Sequence, residues 1–239
     1  MTIKSGFCDP VCPSNVPAMQ DSFYSKIGKR CFDASCALTS IVLFAPFLLI
    51  IAIAVFATSG VPIFFRQERT GHRGKPFLIW KFRTMTAGPQ TASTLVTAAN
   101  DSRVTPFGRW LRRSKFDELP QLLNVLMGDM SLVGPRPEVP YYTKTYTSRQ
   151  AEVLKVRPGI TGPTANEFIC EEILLAQVKD KEHFYVSVLL PRKLESDLQY
   201  VRSISFNRDL KLIAFTFLRL LVKSRSGRNL TSTAAQHET

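Results

Sequence analysis

The stretch ALTSIVLFAPFLLIIAIAVF, from Ala37 to Phe56, decides how this chain is arranged. It lies within a run of 32 residues, 34–65, that contains no charged side chain. Roughly 18 apolar residues already indicate insertion into a membrane, so the run is long enough for that. Pro46 lacks a backbone N–H and disfavours a straight helix. The stretch therefore predicts a membrane helix, a break near Pro46 and a second membrane helix.

Basic residues flank this run on both sides. They are Lys26, Lys29 and Arg30 before it, and Arg66, Arg69, Arg73 and Lys75 after it. Because basic clusters are retained on the cytoplasmic side of a membrane, a segment with such clusters at both ends is expected to enter and leave on the same face. We therefore expect a re-entrant helix. A single kinked helix that crosses the bilayer is the alternative.

The predicted membrane anchor consists of Arg30, Asp33 and Pro46. Arg30 and Asp33 are three residues apart, so on a helix they lie close enough to pair at the membrane boundary. Pro46 marks the point at which the chain bends back. These three residues are expected to hold the N-terminal helix at the cytoplasmic face.

The charge of the chain predicts an anionic partner. The 239 residues carry a formal net charge of +12, with a pI near 9.7. Nucleic acid, an acidic membrane surface and phosphorylated small molecules all suit such a charge. The long uncharged run favours an anionic lipid bilayer, and no nucleic acid is expected. The five cysteines form no CxxC motif and have no nearby histidine, so they indicate neither a zinc site nor a disulfide framework.

The chain is expected to form one helix-rich α+β domain with appended segments. Residues 1–22 carry Pro, Ser and Asn without an apolar period, which predicts a disordered segment. Residues 23–60 form the re-entrant membrane helix. Residues 61–224 form the catalytic domain, with amphipathic helices at the membrane interface, and 225–239 form a flexible tail.

A small β-hairpin is predicted after the membrane segment. Its strands are VPIFF and PFLIWKFRTM, joined by a glycine-containing turn. In the second strand Lys81 and Arg83 alternate with Trp80 and Phe82, which places the cations on one face and the aromatic rings on the other. A mobile loop, 86–102, is expected to follow.

Two helical regions are predicted in the rest of the chain. The apolar spacing over 107–127 is helical but is interrupted at SKFDELP, where Ser114 or Asp117 can cap a second helix with Pro120 in its first turn. Residues 207–224 combine a basic stripe with apolar side chains. That pattern suits either a helix in the membrane interface or a core helix of the domain.

Two adjacent carboxylates and a set of arginines indicate phosphate chemistry. The sequence has no G-x-S-x-G, Walker or dinucleotide glycine motif, which argues against common hydrolases and nucleotide hydrolases. Asp117 and Glu118 remain, with arginines in GPRP, 134–137, and VRPGITG, 156–162, whose two glycines permit close approach to an anion. A carboxylate can attack phosphorus, and Mg²⁺ with rigid arginines can neutralise phosphate oxygens. Alternatively, the carboxylates cap a helix and the arginines are solvated loop residues.

A series of motifs resembles the bacterial monotopic phosphoglycosyl transferases, also called bacterial sugar transferases. In chain order they are KRCFD, the proline-broken apolar segment, FFRQERTGHRGKPFLIWKFRTM, FGRWLRRSKFDELPQLLNVLMGDMSLVGPRP, VRPGITG and YVRSISFNRDLKL. The resemblance covers about Tyr24 to Lys223. It implies the minimal catalytic form of that family, an enzyme that transfers a sugar phosphate from a nucleoside diphosphate sugar, expected to be a UDP-sugar, to polyprenol phosphate and releases a nucleoside monophosphate.

The resemblance also implies a role for each candidate residue. Asp117 is expected to form a covalent phosphosugar intermediate and to bind Mg²⁺, and Glu118 is expected to act as a base or to position the reactants. The residues expected to bind phosphate oxygens are Arg136, Arg157, Lys81 and Arg83. The family further implies a re-entrant helix, a catalytic domain on the cytoplasmic face of the bacterial inner membrane, and the first membrane step of glycan assembly.

A function of another class is also compatible with the sequence. The chain can be a non-catalytic basic membrane adaptor that recruits glycan-assembly partners. Intact Asp117, Glu118, Arg136 and Arg157 argue against it. The sequence leaves the oligomeric state open.

Overall fold

The computed structural model of the chain describes residues 24–86, 103–168, 171, 175, 178 and 180–219. The predicted disordered segment 1–22 and the predicted tail 225–239 lie outside these residues, as does almost all of the predicted loop 86–102. Within the described residues the protein is rich in helices and has two small β-sheets. The predicted helix-rich α+β class is therefore confirmed.

The apolar stretch forms one helix, α1 (Lys29–Ser59), preceded by a π-helical turn, Tyr24–Gly28. The helix continues through Pro46, so the prediction of two helices separated by a break is wrong. A proline removes only its own hydrogen bond, and an apolar helix tolerates that loss while the neighbouring turns keep theirs. The helix ends at Gly60, which has a φ of 68° and donates its N–H to the Phe56 carbonyl at 2.9 Å.

One face of α1 packs on the rest of the protein, and the other face is exposed. Ala37 is buried in a cluster with Ile79, and Ile51 and Val55 are buried in a cluster with Phe82. Both halves of the helix therefore contact the same part of the chain. By length and composition α1 is able to cross a membrane. Its exposed large apolar side chains are Leu38, Val42, Leu43, Phe44, Leu49, Ile50, Ile53 and Phe56.

The predicted hairpin is confirmed. Strands β1 (Phe64–Thr70) and β2 (Pro76–Phe82) are antiparallel, and a 3₁₀ turn, His72–Gly74, joins them. Trp80 and Phe82 both contact the Phe64 ring, with centroids 5.7 and 5.4 Å from it, so the aromatic rings share a face as predicted.

Two short helices and a 3₁₀ turn form the segment that contains the two adjacent carboxylates. Helix α2 (Pro106–Ser114) begins at Thr105, whose Oγ1 accepts the Gly108 N–H at 2.9 Å. The 3₁₀ turn Phe116–Glu118 follows, and then α3 (Gln121–Met127). Pro120 is the residue before α3, and no side chain caps this helix. The prediction that Ser114 or Asp117 caps it is therefore wrong, because Ser114 Oγ donates back to α2 and Asp117 is part of the turn.

A two-stranded parallel sheet brings the two Gly/Pro motifs together, and this pairing was not predicted. Strand β3 (Ser131–Val133) pairs with β4 (Gly159–Thr161). A Cβ atom on Gly159 would lie 2.1 Å from the Gly134 nitrogen, and one on Gly162 would lie 2.2 Å from the Gly134 oxygen. Gly159 and Gly162 therefore permit the approach of one backbone to another, and their predicted approach to an anion stays a prediction.

Short helices complete the domain. They are α4 (Pro140–Thr143), a 3₁₀ segment Gln150–Lys155, α5 (Pro163–Glu167), α6 (Lys181–Phe184), a π-helical segment Tyr185–Leu189, α7 (Leu190–Arg202) and α8, of which residues 206–219 are described. The buried side chains Leu190, Leu194 and Leu198 of α7 form the centre of the largest apolar cluster. Helix α7 thus packs on the segments that contain Val139, Val153 and Tyr185, which belong to the same cluster.

Helix α8 turns part of its polar stripe toward the domain. Arg208 donates to the Gln199 carbonyl at 3.3 Å, and Arg219 donates to the Asn166 carbonyl. These contacts attach α8 to the domain, and the location of the helix in the membrane interface stays a prediction. Helix α8 also has exposed large apolar side chains, namely Phe206, Leu210, Phe215, Phe217 and Leu218, and Lys211 is exposed with them.

The start of α1 is attached to two other elements. Arg30 Nη2 donates to the Leu126 carbonyl in α3 at 2.8 Å. Asp33 accepts the Ser131 hydroxyl at 2.7 Å and the Leu132 N–H at 3.2 Å in β3. The predicted pair between Arg30 and Asp33 is wrong, because each side chain has a partner in the domain. These contacts fix the orientation of α1 relative to β3.

A fully buried carboxylate joins both ends of the described chain. Asp209 of α8 is 0% exposed and accepts the hydroxyls of Tyr24 at 2.7 Å and Tyr200 at 2.6 Å. It also forms an ion pair with Lys29 at the start of α1. The Tyr200 hydroxyl lies 3.1 Å from the Val133 carbonyl. The approach to α1, the helices α7 and α8 and the strand β3 therefore meet at one polar centre.

Candidate active site

The two adjacent carboxylates lie in the 3₁₀ turn between α2 and α3. Asp117 is 6% exposed and Glu118 is 7% exposed, so both are buried. Helix α2 ends at Lys115, which has a left-handed φ of 61°. The Lys115 carbonyl then accepts the Glu118 N–H at 3.2 Å. A sharp change of backbone direction thus turns both carboxylates into the protein.

Glu118 is held by two cations. Its Oε1 atom lies 2.9 Å from Lys81 Nζ and 3.2 Å from Arg136 Nη2. Burial by itself raises the pKa of Glu118, but Lys81, Lys115 and Arg136 outweigh burial and hold that pKa well below its usual range. Glu118 is therefore ionised at neutral pH and orders the two cations around it.

Asp117 has a different environment although it is the next residue. Its Oδ1 atom is buried and accepts no hydrogen bond from any described residue. Burial and the neighbouring charge of Glu118 raise the pKa of Asp117, and Lys81, Lys115 and Arg112 only partly oppose this. An unsolvated carboxylate oxygen without a donor is a stronger nucleophile than a hydrogen-bonded one, so the arrangement suits attack on an electrophile.

An asparagine on α3 fixes the distance between the turn and the hairpin. The Asn124 side chain is fully buried, accepts the Trp80 N–H at 3.1 Å and donates to the Leu78 carbonyl at 2.8 Å. It therefore continues the hydrogen bonding of β2 beyond the hairpin and brings Lys81 to Glu118. Nothing in the sequence pattern distinguished Asn124 from an ordinary polar residue of a short helix.

Helix α7 contacts the loop that contains Arg136 through the side chain of Asp197. Asp197 accepts the Thr164 hydroxyl at 3.1 Å, and the Arg136 backbone N–H also acts on this carboxylate. Burial raises the pKa of Asp197 to about 8, and the Thr164 hydroxyl, Lys193 and the Arg136 N–H oppose the rise. No pattern in the sequence indicated this role for Asp197.

A buried ion cluster lies next to Arg136 along the chain. Lys193 Nζ is 3.2 Å from Glu138 Oε1, 3.3 Å from Glu171 Oε2 and 3.0 Å from the Tyr185 hydroxyl. The Tyr185 hydroxyl donates to Glu138 at 2.6 Å. We call Glu138, Glu171, Tyr185 and Lys193 the buried ion cluster. It fixes the loop end that follows Arg136.

Two predicted phosphate-binding residues donate to backbone carbonyls. Arg83 donates from Nη1 to the Val61 carbonyl at 2.8 Å and from Nε to the Met85 carbonyl at 3.0 Å. Arg157 is exposed and donates from Nε to the Gly128 carbonyl at 2.9 Å, at the end of α3. The structure therefore brings Asp117, Glu118, Lys81 and Arg136 together, whereas Arg83 and Arg157 are engaged by backbone carbonyls.

Three basic residues near the carboxylates were missed as site residues. Lys115 and Arg112 act electrostatically on Asp117, and Arg69 acts on Glu138 and Arg136. The Nε atom of Arg69 is buried without a hydrogen-bond partner among the described residues. The run RRSK directly before Phe116 was an available signal for Arg112 and Lys115. For Arg69 the sequence showed only a charge next to the membrane segment.

The residues fit a magnesium ion that is shared with a substrate, not an enclosed metal site. Among the described residues, no three His, Cys, Asp or Glu side chains are grouped as a metal-binding cluster. Mg²⁺ commonly takes one or two carboxylates and completes its shell with phosphate oxygens and water. The Asp117 carboxylate, whose Oδ1 has no donor among the described residues, is the group that suits this arrangement, with one oxygen toward the ion and the other toward the substrate. Lys81 and Arg136 already occupy Oε1 of Glu118.

Comparison with known proteins gives matches over most of the chain. A family model described as bacterial sugar transferase matches residues 24–223. The sugar transferase EpsL of Bacillus subtilis is 39% identical over 194 residues, which are 81% of this chain and 87% of that protein. A UDP-glucose:undecaprenyl-phosphate glucose-1-phosphate transferase of Caulobacter vibrioides is 40% identical over 197 residues, 81% of this chain and 69% of that protein.

A longer relative matches over part of its length. The UDP-glucose:undecaprenyl-phosphate glucose-1-phosphate transferase of Klebsiella pneumoniae is 40% identical over 195 residues, which are 80% of this chain and 39% of that protein. The exposed apolar face of α1 and these relatives together indicate an association with a membrane. By its family match and its similarity to these relatives, the chain belongs to the bacterial sugar transferase family, whose members are enzymes.

Proposed function

We propose that this protein transfers a sugar phosphate from a nucleoside diphosphate sugar, a UDP-sugar, to polyprenol phosphate and releases a nucleoside monophosphate. The observation that carries the proposal is the buried Oδ1 of Asp117, which has no donor in the described part of the chain and lies beside a Glu118 that two cations hold. The names of two relatives specify UDP-glucose and undecaprenyl phosphate as their substrates. This reaction would be the first membrane step in the assembly of a bacterial glycan.

The reaction proceeds in two displacements at one phosphorus atom. In the first, a carboxylate oxygen of Asp117 attacks the sugar-bearing phosphorus, and the bond to the nucleoside monophosphate breaks with its electron pair on the leaving oxygen. In the second, an oxygen of polyprenol phosphate attacks the same phosphorus, and the bond to Asp117 breaks. The products are polyprenyl diphosphate sugar and a free carboxylate. Two displacements with a covalent intermediate divide one difficult transfer into two easier ones.

The neighbouring residues position and neutralise the phosphate groups. Lys81 and Arg136 are held by Glu118, so their remaining N–H groups can bind equatorial phosphate oxygens without a large rearrangement. Glu118 keeps both cations in place, which is a positioning role. Mg²⁺, bound by Asp117 and the donor phosphates, would supply the charge that makes the nucleoside monophosphate a better leaving group.

We also propose that α1 enters and leaves the inner membrane on the cytoplasmic face, where the nucleotide sugar is found. Two observations support a re-entrant arrangement. Both halves of α1 are buried against one domain, through Ala37 near its start and Val55 near its end. Basic residues flank the helix on both sides. A helix that crossed the bilayer would place Gly28 and Val61 on opposite sides.

Mass spectrometry of the detergent-solubilised protein tests the reaction. The protein is incubated with Mg²⁺ and each member of a panel of nucleoside diphosphate sugars, with Asp117→Asn as the control. We expect a mass increase of one sugar phosphate on Asp117 that polyprenol phosphate removes, and no increase in the variant. Release of nucleoside monophosphate that requires acceptor, with no adduct under any condition, would contradict the covalent intermediate.

Cysteine labelling tests the topology. Gly28→Cys and Val61→Cys are introduced separately into a chain whose native cysteines are replaced by serine. A membrane-impermeant maleimide is added to oriented vesicles. We expect both positions to react only when the cytoplasmic face is accessible. Reaction of the two positions from opposite sides would show that α1 crosses the membrane.

A further inference from the structure

Lys115 has an unusual backbone for its residue type. Its φ of 61° and ψ of 15° are left-handed, a conformation that glycine and asparagine adopt more readily than lysine. Its N–H lies 3.3 Å from the Arg112 carbonyl, and its own carbonyl accepts the Glu118 N–H. Glycine would adopt this backbone conformation with less strain, so the presence of a lysine here needs a separate explanation.

The other cations near Asp117 and Glu118 have partners. Lys81 and Arg136 bind Glu118, and Arg112 Nε donates to the Thr84 hydroxyl at 3.1 Å. Lys115 makes no side-chain hydrogen bond and no ion pair within the described part of the chain, yet its charge acts on both carboxylates. Within the described part of the chain no other side chain engages Lys115, so an incoming anion can bind its whole ammonium group.

The residue next to Lys115 contacts the membrane helix. The Phe116 ring lies 5.1 Å from the Phe47 ring of α1 and 5.6 Å from the Trp110 ring. Phe47 directly follows Pro46, in the middle of the apolar helix, and Trp110 is 48% exposed. The segment that contains Lys115 is thus attached to the apolar surface of the protein. A lipid that lies along this surface would therefore pass close to the segment that contains Lys115.

We propose that Lys115 binds the phosphate of the polyprenol phosphate acceptor. This inference rests on the proposed function and extends it to the second displacement. In that step an acceptor phosphate oxygen forms a bond to the phosphorus held by Asp117, and the bond from phosphorus to the Asp117 oxygen breaks, which leaves a carboxylate. Two anions must approach each other, and the ammonium group of Lys115 neutralises part of that charge. Lys81 and Arg136 remain with the phosphate that is transferred.

The test separates the two displacements and uses three variants. Lys115→Asn removes the charge and suits the left-handed backbone, Lys115→Arg keeps the charge, and Arg113→Gln removes an exposed cation two residues away. Adduct formation is measured with nucleoside diphosphate sugar alone. Discharge is measured by adding polyprenol phosphate to preformed adduct. Unfolding in detergent is followed for each variant.

We expect preformed Lys115→Asn adduct to need roughly 10- to 100-fold more acceptor for half-maximal discharge, the loss typical of a hydrogen bond to a charged group. Because Lys115 also acts electrostatically on Asp117, the rate of adduct formation should change too, but by a smaller factor. Lys115→Arg should recover most of the affinity, and Arg113→Gln should discharge normally. Lys115→Asn should be at least as resistant to unfolding, because its backbone is less strained. Sedimentation with vesicles of phosphatidylglycerol and phosphatidylcholine should be equal for all variants.

Normal discharge of the Lys115→Asn adduct would overturn the inference while the proposed function stands. Combined with much slower adduct formation, normal discharge would assign Lys115 to the donor. Combined with weaker vesicle binding, it would show contact of Lys115 with bulk lipid headgroups. If the unmodified protein forms no adduct with any donor, the covalent intermediate itself fails, and the role of Lys115 in its discharge fails with it.

Discussion

The buried ion cluster and the carboxylate turn, Lys115 to Glu118, contain the same kinds of side chain but satisfy them differently. In the buried ion cluster Lys193 contacts both carboxylates and the tyrosine hydroxyl. In the turn, Glu118 has two cations, whereas Asp117 Oδ1 has no donor and Lys115 has no ion pair among the described residues. Complete pairing stabilises a fold, and incomplete pairing leaves groups free for substrates. We therefore expect the buried ion cluster to contribute mainly to stability and the carboxylate turn mainly to activity.

The largest expected effect is on activity, from Asp117→Asn. The amide cannot form the phosphosugar adduct, so turnover should fall roughly a thousandfold or more. The folded protein should not be weakened, because the raised pKa of Asp117 shows that its charged form is unfavourable there. Turnover assays and urea unfolding in detergent measure the two effects. A large loss of unfolding free energy in Asp117→Asn would contradict the idea that the carboxylate turn contributes to activity and not to stability.

The largest expected effect on stability comes from Lys193→Met. Lys193 is buried, and its removal leaves Glu138 without its cation in the buried ion cluster. Breaking a buried pair in this way costs about 3 to 5 kcal/mol of unfolding free energy. Urea unfolding in detergent measures the change. Replacing Glu138 with Gln in the same chain should recover part of the loss, since no unpaired charge then remains, and the absence of any recovery would contradict this explanation.

An intermediate effect is expected in the pH dependence of stability, through Asp197. Its pKa is about 8 in the folded protein, against a usual value of 3.8. Between about pH 4 and 8 the folded protein keeps a proton that the unfolded chain has released, so this group lowers the unfolding free energy as the pH rises. Relative to Asp197→Asn, the unmodified protein should lose stability from pH 5 to pH 8. Parallel urea titrations at the two pH values measure this, and a constant difference would refute it.

The smallest effect is expected at an ion pair on the outer face of α7. Arg149 Nη2 lies 2.8 Å from Glu195 Oε2, and both side chains are exposed. Exposed pairs contribute roughly 0 to 1 kcal/mol, so Arg149→Gln should change the unfolding free energy by less than about 1 kcal/mol. It is a matched control for Lys193→Met, because it also breaks an ion pair that involves α7. If Arg149→Gln lowered the unfolding free energy as much as Lys193→Met, burial would not determine how much these ion pairs contribute to stability.

Sequence patterns predicted the elements whose contacts are made by residues close together in the chain. The hairpin was predicted from alternation because β1 and β2 are neighbours in sequence. Strands β3 and β4, three residues each, are too short for alternation to show. The continuity of α1 through Pro46 was missed because a proline predicts a lost hydrogen bond, and packing decides whether the helix ends there.

The candidate site was predicted in part, for a related reason. Asp117 and Glu118 are adjacent in sequence, and the GPRP motif indicated Arg136, but which cations meet Glu118 depends on tertiary contacts. The Asn124 bonds bring Lys81 to Glu118, whereas backbone carbonyls engage Arg83 and Arg157. The left-handed conformation of Lys115 is a property of the folded backbone and has no signature in a lysine.

The attachment of α1 has a consequence for protein engineering. Deleting the apolar helix is the obvious route to a water-soluble version of this enzyme for crystallisation or screening. Such a truncation would remove Lys29 and Asp33, which are partners of Asp209 and Ser131. Asp209 is 0% exposed, so it would retain a buried charge with only tyrosine hydroxyls to stabilise it. A soluble version therefore has to keep the first turns of α1 and replace only the exposed apolar side chains beyond them.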